Sequence, residues 1–349
     1  MQSLNQIIAQ IRPLDRLVME EMSIRLDGLV KPVGSLGRLE QLAIQLSGIY
    51  RNLNISASHK QLIVMAADHG VYAEGITLAP QAVTYLQMLN MVKGVSGVCV
   101  LAKQMKADVL LVDTGIDSLP IEGVLNYKVR RSSGNIATQA AMSREEAITL
   151  LERSARLAIE QVNHGVRLIG TGELGMGNTT PAAAIVSVLC DAEPEHTVGV
   201  GANFPQDRMQ HRIEVVRRAI AINQPDANDS IDVLAKVGGF DLGGMAGIMI
   251  GAAAAGVPIV LDGFLSCAAA LIAVNIAPQI HPYLIPSHRS AEKGTQLALE
   301  KLNLVPYLEM SMRLGEGSGA VMAFPIIDAA CAMATKMGSL NESNILLSD

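Results

Sequence analysis

Short aliphatic runs at residues 62–67, 109–112, 166–169, 198–200 and 259–261 are each followed by a glycine or a carboxylate and then by a helical pattern. Runs this short and continuous read as strands buried on both faces. Buried strands separated by helical stretches make a mostly parallel sheet flanked by helices, an α/β fold. Half the residues are hydrophobic, yet only 3% are aromatic and tryptophan is absent. The core is therefore aliphatic, which suits helices packed on a parallel sheet.

The chain ends read differently. Residues 1–55 look helical apart from a break at KPVGSLG (31–37), and residues 300–349 look helical as well. The expected division is a small helical domain from 1–55 and 300–349 beside a large α/β domain of residues 56–299. Ser143-Arg-Glu-Glu146 is a capping box ahead of Ile148, Leu151, Ala155 and Ile159. Asn178-Thr-Thr-Pro181 sets a proline near a second helix start. The apolar stretch GGMAGIMIGAAAAGVP (243–258) falls short of the ~20 residues a bilayer requires, so it is expected as a tightly packed helix of a soluble protein.

Net charge is −6, which argues against nucleic acid as a partner. Cys99, Cys190, Cys267 and Cys331 lie far apart without CxxC spacing, the pattern of free thiols in a reducing compartment. The N-terminus lacks a basic stretch followed by an apolar one, so no signal peptide is expected and the location is expected to be cytoplasmic.

In open α/β sheets ligands bind beyond the carboxyl ends of the strands. The residues expected there are Asp68-His69-Gly70, Asp113-Thr114-Gly115, 170–180, Gly201-Ala-Asn203 and Asp262-Gly263-Phe264. Each Asp has a plainer role as a cap or turn residue, but their recurrence at one sheet edge favours a site. GTGELG (170–175) has GxGxxG spacing after a strand, yet the loop continues to Thr180 and Asp191 falls at a helix end. It therefore reads as a mononucleotide phosphate cradle and not a dinucleotide site, with Glu173 in its centre. Arg212 lies on an amphipathic helix, where it meets either a phosphate or solvent.

In Ser287-His288-Arg289-Ser290, Ser290 is a cap or phosphate ligand. A Ser287–His288 nucleophile pair is disfavoured, because neighbours in sequence rarely face each other and no GxSxG elbow occurs. Asp68, His69, Asp113, Asp262 and His288 together could hold a divalent ion, though without tight spacing. In RLGEGSGA (313–320), glycines on both sides of Glu316 let the backbone approach a ligand closely. A lone glutamate among apolar neighbours there holds its proton more tightly and suits a general base.

The ordered motifs KPVGSLG (31–37), ADHG (67–70), GELGMGNTT (172–180), GFDLGGMAG (239–247), LDGF (261–264), SHRSAE (287–292) and RLGEGSG (313–319) span nearly the whole chain. Through them the sequence resembles the nicotinate-nucleotide–dimethylbenzimidazole phosphoribosyltransferases of cobalamin nucleotide-loop assembly. The resemblance implies a Rossmann-like sheet domain with a small helical domain from both chain ends, assembled as a homodimer. It implies transfer of phosphoribose from nicotinate mononucleotide to a benzimidazole nitrogen with inversion, giving α-ribazole 5′-phosphate and nicotinate. No metal or other cofactor, nucleic acid or membrane is implied.

Carried over by position, Glu316 is the general base, and Glu173 is a second catalytic residue, near the ribose and nicotinate, with no dedicated acid needed. Gly175, Gly177, Asn178, Thr179, Gly201, Arg212, Ser290, Arg313 and Leu314 surround the nucleotide. Ala79, Gln87 and Leu174, with residues 77–80, line the base pocket. Arg212 stands where a lysine is expected, and Ala79 where some members carry a hydroxyl, which bears on the preferred base.

Overall fold

The structure, a computed structural model, describes residues 2–201 and 204–343. One sheet contains β1 (Lys60–Ala67), β2 (Ala107–Gly115), β3 (Leu125–Asn126), β4 (Leu168–Leu174), β5 (Ile259–Leu261) and β6 (Leu284–Pro286). Their order is β3-β2-β1-β4-β5-β6 and every pairing is parallel. This is the Rossmann order, in which the direction of winding reverses between β1 and β4. β1 is buried along its whole length. Leu62, Val64 and Ala66 enter one core while Ile63, Met65 and Ala67 enter the other, as the two-residue period of a strand requires.

Helices Arg144–Asn163, Thr179–Cys190, Phe240–Ala254 and Phe264–Ile276 cover one face. Helices Arg16–Asp27, Arg38–Tyr50, Val83–Val92, Gly97–Gln104 and Ser318–Lys336 cover the other. The chain ends thus meet on one side of the sheet, Arg38–Tyr50 packing on Ser318–Lys336. Leu4 and Ile7 of the first helix join the opposite core. The expected capping box forms, with Glu146 N–H on Ser143 Oγ at 3.1 Å and Ser143 N–H on Glu146 Oε2 at 2.8 Å. Residues 243–254 lie inside helix Phe240–Ala254, which is buried almost throughout. A Cβ on Gly247 would lie 2.6 Å from the Leu151 carbonyl oxygen, so this glycine lets two helix backbones approach closely.

Several expectations need correction. Residues 198–200 form no strand; they follow the short helix Pro194–Thr197, and Gly199 faces Glu292 instead of a neighbouring strand. Of the adjoining Gly201-Ala-Asn203, residues 202 and 203 lie outside the described residues. The run at 166–169 is only the entrance to β4, which continues through Gly170, Thr171, Gly172 and Glu173 to Leu174. GTGELG is therefore mostly strand. Its first two glycines make room for the Ser318–Lys336 helix and the loop before it: a Cβ at Gly170 would meet Phe324 and one at Gly172 would meet Glu316. Asp113-Thr114-Gly115 likewise lies within β2. The edge strands β3 and β6 have no counterpart among the expected runs. β6 ends in Pro286, which an edge position tolerates because no partner needs its missing N–H.

Candidate active site

At the carboxyl ends of β4, β5 and β6 a cavity of about 260 Å³ opens, lined by Glu173 and Leu174 of β4, Asp262 and Gly263 after β5 and His288 after β6. Glu173, Leu174, Gly175, Gly177, Asn178 and Thr179 line it from β4 and the following helix start. Gly201, Arg212, Ser290, Arg313, Leu314 and Glu316 close it from the other segments, with Gln87 from helix Val83–Val92. Of the residues expected at the site, Ala79 is not on the wall. Thr77 is, and its Oγ1 accepts the Ala79 N–H at 3.3 Å.

Glu316 sits in an unusual backbone. Gly315, Glu316 and Gly317 all have positive φ, at 80°, 63° and 89°. For the glutamate this left-handed geometry costs about 1–3 kcal/mol, so the surroundings must impose it. Asp262, after β5, does much of this: its Oδ2 accepts Gly317 N–H at 3.0 Å and its Oδ1 accepts Gly319 N–H at 2.7 Å. It thereby also accepts two of the backbone N–H groups left unpaired at the N-terminus of helix Ser318–Lys336. Glu316 N–H donates to Glu173 Oε1 at 3.2 Å. A Cβ on Gly172 would come within 2.5 Å of the Glu316 carbonyl oxygen, so β4 can pass under the loop only as glycine.

The Glu316 carboxylate is not the lone acid among apolar neighbours that the sequence suggested. Gln87 Nε2 donates to its Oε1 at 2.6 Å, and Val98 N–H donates to its Oε2 at 3.3 Å. That N–H lies in the first turn of helix Gly97–Gln104, a donor that residue spacing could not reveal.

Behind the wall lies a second polar chain. Fully buried His69 stands 3.2 Å from Asp241 on the Phe240–Ala254 helix. Burial works against the His69 proton, but the Asp241 charge and hydrogen bond outweigh it and raise its pKa. The Asn178 side-chain amide donates to Asp241 Oδ2 at 3.1 Å and also to Glu173 Oε2. Burial first, then the Asp241 charge, push Glu173 up to about 8. The donors Asn178 and Glu316 N–H oppose that rise.

This shift has a measurable consequence. The folded chain holds the Glu173 proton toward about 8 whereas the unfolded chain releases it near 4.5. The unfolded state then binds fewer protons across that window, so stability falls as pH rises through it. Ligand-free wild type is expected to lose on the order of a few kcal/mol relative to Glu173→Gln between about pH 5 and about pH 8. Denaturant melts of both proteins at the two pH values test this, and parallel pH dependences would contradict it.

Arg212 does not face solvent. It is 2% exposed, with Nη1 donating to Gly199 O and Nη2 to Thr179 Oγ1, both at 2.6 Å, and it lies 5.4 Å from the Phe204 ring centre. Arg313 Nη1 donates to Gly201 O at 3.2 Å, and Ser290 Oγ accepts Glu292 N–H at 3.3 Å. Ser287 and His288 do face each other, Oγ to Nδ1 at 3.0 Å, contrary to expectation. The nearest Asp262 oxygen is 3.9 Å from the same Nδ1 and Ser287 is fully buried, so no Ser-His-Asp relay results. Nor do the five residues suggested as metal ligands converge. His69 pairs with Asp241, His288 lies against Asp262, and Asp113 binds Lys128 and the backbone N–H groups of its own turn. Asp241 and Glu292 escape a sequence-based choice of site residues, because their partners are distant along the chain.

A family model described as "Phosphoribosyltransferase" matches residues 11–345. A protein named nicotinate-nucleotide–dimethylbenzimidazole phosphoribosyltransferase from Photorhabdus laumondii is 59% identical over 347 residues, covering 99% of each chain. A protein of the same name from Yersinia enterocolitica is 60% identical over 347 residues, again covering 99% of each. The crystal structure of CobT from Thermus thermophilus is similar with a TM-score of 0.91 at 35% identity, covering 95% of this chain and 100% of that one.

Proposed function

The chain belongs to the nicotinate-nucleotide–dimethylbenzimidazole phosphoribosyltransferase family, and from that premise we propose that Glu316 is the general base of its reaction. The enzyme moves 5-phosphoribose from nicotinate mononucleotide to dimethylbenzimidazole in cobalamin biosynthesis. The observation that carries the assignment is the placement of Glu316. Its carboxylate is fixed on the cavity wall by Gln87 and Val98 N–H, on a backbone that the fold forces left-handed. Each carboxylate oxygen has two acceptor sites, so a lone pair is left for an azole N–H.

One azole nitrogen attacks C1′ of the ribose while the C1′–N bond to nicotinate breaks. The bonding pair returns to the pyridinium nitrogen and neutralises it, so departure needs no proton. The proton on the other azole nitrogen passes to Glu316. Positioning and one base carry the reaction. Glu173, holding its own proton toward about 8, stands near the ribose and nicotinate without repelling the nicotinate carboxylate.

The phosphate is assigned to the start of helix Thr179–Cys190, with Gly175, Gly177, Asn178 and Thr179 beside it. Ser290 and Arg313 add polar contacts, and Arg212 braces Thr179 and Gly199 from behind. Leu174, Leu314, Gln87 and Thr77 form the base side of the cavity.

Purified enzyme given nicotinate mononucleotide and dimethylbenzimidazole is expected to release nicotinate and form α-ribazole 5′-phosphate in equal amounts, resolved by mass. Nicotinate release without the base adduct, or neither product, would reject this reading. Competition with benzimidazole and adenine in the same assay ranks the acceptors. The assembly we propose is a homodimer. Leu86, Val95 and Val100, exposed at and between the adjoining helices Val83–Val92 and Gly97–Gln104, offer an apolar surface for a second copy. Light scattering at the mass of a single chain would exclude it.

A further inference from the structure

Four carboxylates line the cavity: Glu173, Asp262, Glu292 and Glu316. Three have both oxygens engaged. Glu173 accepts from Asn178 and Glu316 N–H, Asp262 from Gly317 and Gly319 N–H, and Glu316 from Gln87 and Val98 N–H. Glu292 differs. It is 7% exposed, and no donor among the described residues makes a well-formed hydrogen bond to either of its carboxylate oxygens. Burial raises its pKa, opposed by the Arg212 charge, then the Gly201 N–H and the Arg313 charge.

Its position is nonetheless built. Its N–H is held by Ser290 Oγ at 3.3 Å and its carbonyl accepts Thr295 N–H at 3.1 Å. Gly199 leaves room for the carboxylate, since a Cβ there would collide with Oε2. The Arg212 charge acts on Glu292, and among the described residues the buried Nε of Arg212 has no acceptor. Among the described residues, two acceptor oxygens without a well-formed donor and one donor without an acceptor, on one cavity wall, fit a group that both donates and accepts. A hydroxyl is such a group. In nicotinate mononucleotide the carboxylate and the phosphate dianion are acceptors, so its hydrogen-bond donors are the two ribose hydroxyls.

We propose that Glu292 receives the vicinal 2′- and 3′-hydroxyls of the phosphoribosyl group and thereby selects a ribosyl over a deoxyribosyl donor. This rests on nicotinate mononucleotide being the donor substrate. Two adjacent hydroxyls on one face of the ring match the two oxygens of one carboxylate, and Arg212 Nε donates to one of those hydroxyls. A site built to bind a hydroxyl rejects the analogue lacking it, because its buried polar group is then left unpaired.

The test compares kcat/KM for nicotinate mononucleotide with that for its 2′-deoxy and 3′-deoxy counterparts, in wild type, Glu292→Ala and Glu292→Gln. Wild type is expected to prefer the ribosyl donor by roughly 10- to 100-fold, the worth of a charge-assisted hydrogen bond. In Glu292→Ala the preference should shrink to within about threefold. Glu292→Gln, which keeps its size and one acceptor oxygen, should fall between, and it serves if the alanine variant folds poorly. The greater chemical lability of deoxyribosyl bonds is common to all three proteins and cancels in the ratio of ratios. Undiminished preference in both variants, or no preference in wild type, overturns the proposal. Wild type inert toward nicotinate mononucleotide itself would instead count against the donor substrate.

Discussion

Replacing Glu316 by glutamine is expected to lower kcat by roughly 10²- to 10⁴-fold, the usual contribution of a positioned general base. Fold and affinity for nicotinate mononucleotide should change little. Glutamine keeps one oxygen for the donors Gln87 and Val98 N–H, and the misfit of its amide with the other donor costs only about 1 kcal/mol. It also keeps the left-handed backbone, which is set by Asp262, Gly172 and Glu173 and not by the side chain. What it loses is the ability to take a proton. Turnover and calorimetric binding of nicotinate mononucleotide should therefore separate. Wild-type kcat in purified Glu316→Gln would remove Glu316 from the mechanism, and equal losses in binding and turnover would mark its role as structural.

The second large effect is expected away from the reacting atoms. Asp262→Ala strips the acceptor from two backbone N–H groups, Gly317 and Gly319, in a buried setting. At about 1–3 kcal/mol for each orphaned donor, stability should fall by roughly 2–6 kcal/mol. Activity of the molecules that remain folded should fall too, by about 10²-fold, since a shift of about 1 Å in a reacting group costs that much. Denaturant midpoints give the first number, and kcat below the melting range gives the second. Asp262→Ala with native stability would mean that the loop holds itself. Native kcat despite lost stability would mean that Asp262 supports the fold but not the aim of Glu316.

The sheet was legible where a run is long or bounded on both sides. Residues 62–67 became all of β1 but its first two residues, and 259–261 became β5. Residues 198–200 looked the same in composition but are interrupted by Gly199, whose close neighbour is Glu292. β6, three residues ending in proline, carries no pattern of its own and exists through its pairing with β5. At the site, the glycines around Glu316 drew attention to the loop, but not to the left-handed backbone that Gly315, Glu316 and Gly317 all adopt. The forces that impose it come from positions 55 and 143 residues away, beyond any local reading. The motif resemblance named most of the cavity wall, yet it could not say that Gln87 grips Glu316 or that Arg212 points inward.

That reach along the chain also sets the order in which the site can come into being. Glu173 and Asn178 can settle as soon as β4 and the next helix form, but Glu316 arrives with helix Ser318–Lys336, the last long element described. Contacts of such high sequence separation carry the entropy cost of closing a long loop. A molecule halted one docking step short keeps its sheet, its polar pocket and even a place for phosphate, yet has no base with which to act. During refolding, recovery of turnover should therefore track the slowest phase, and catalysis becomes a clock for completion of the fold.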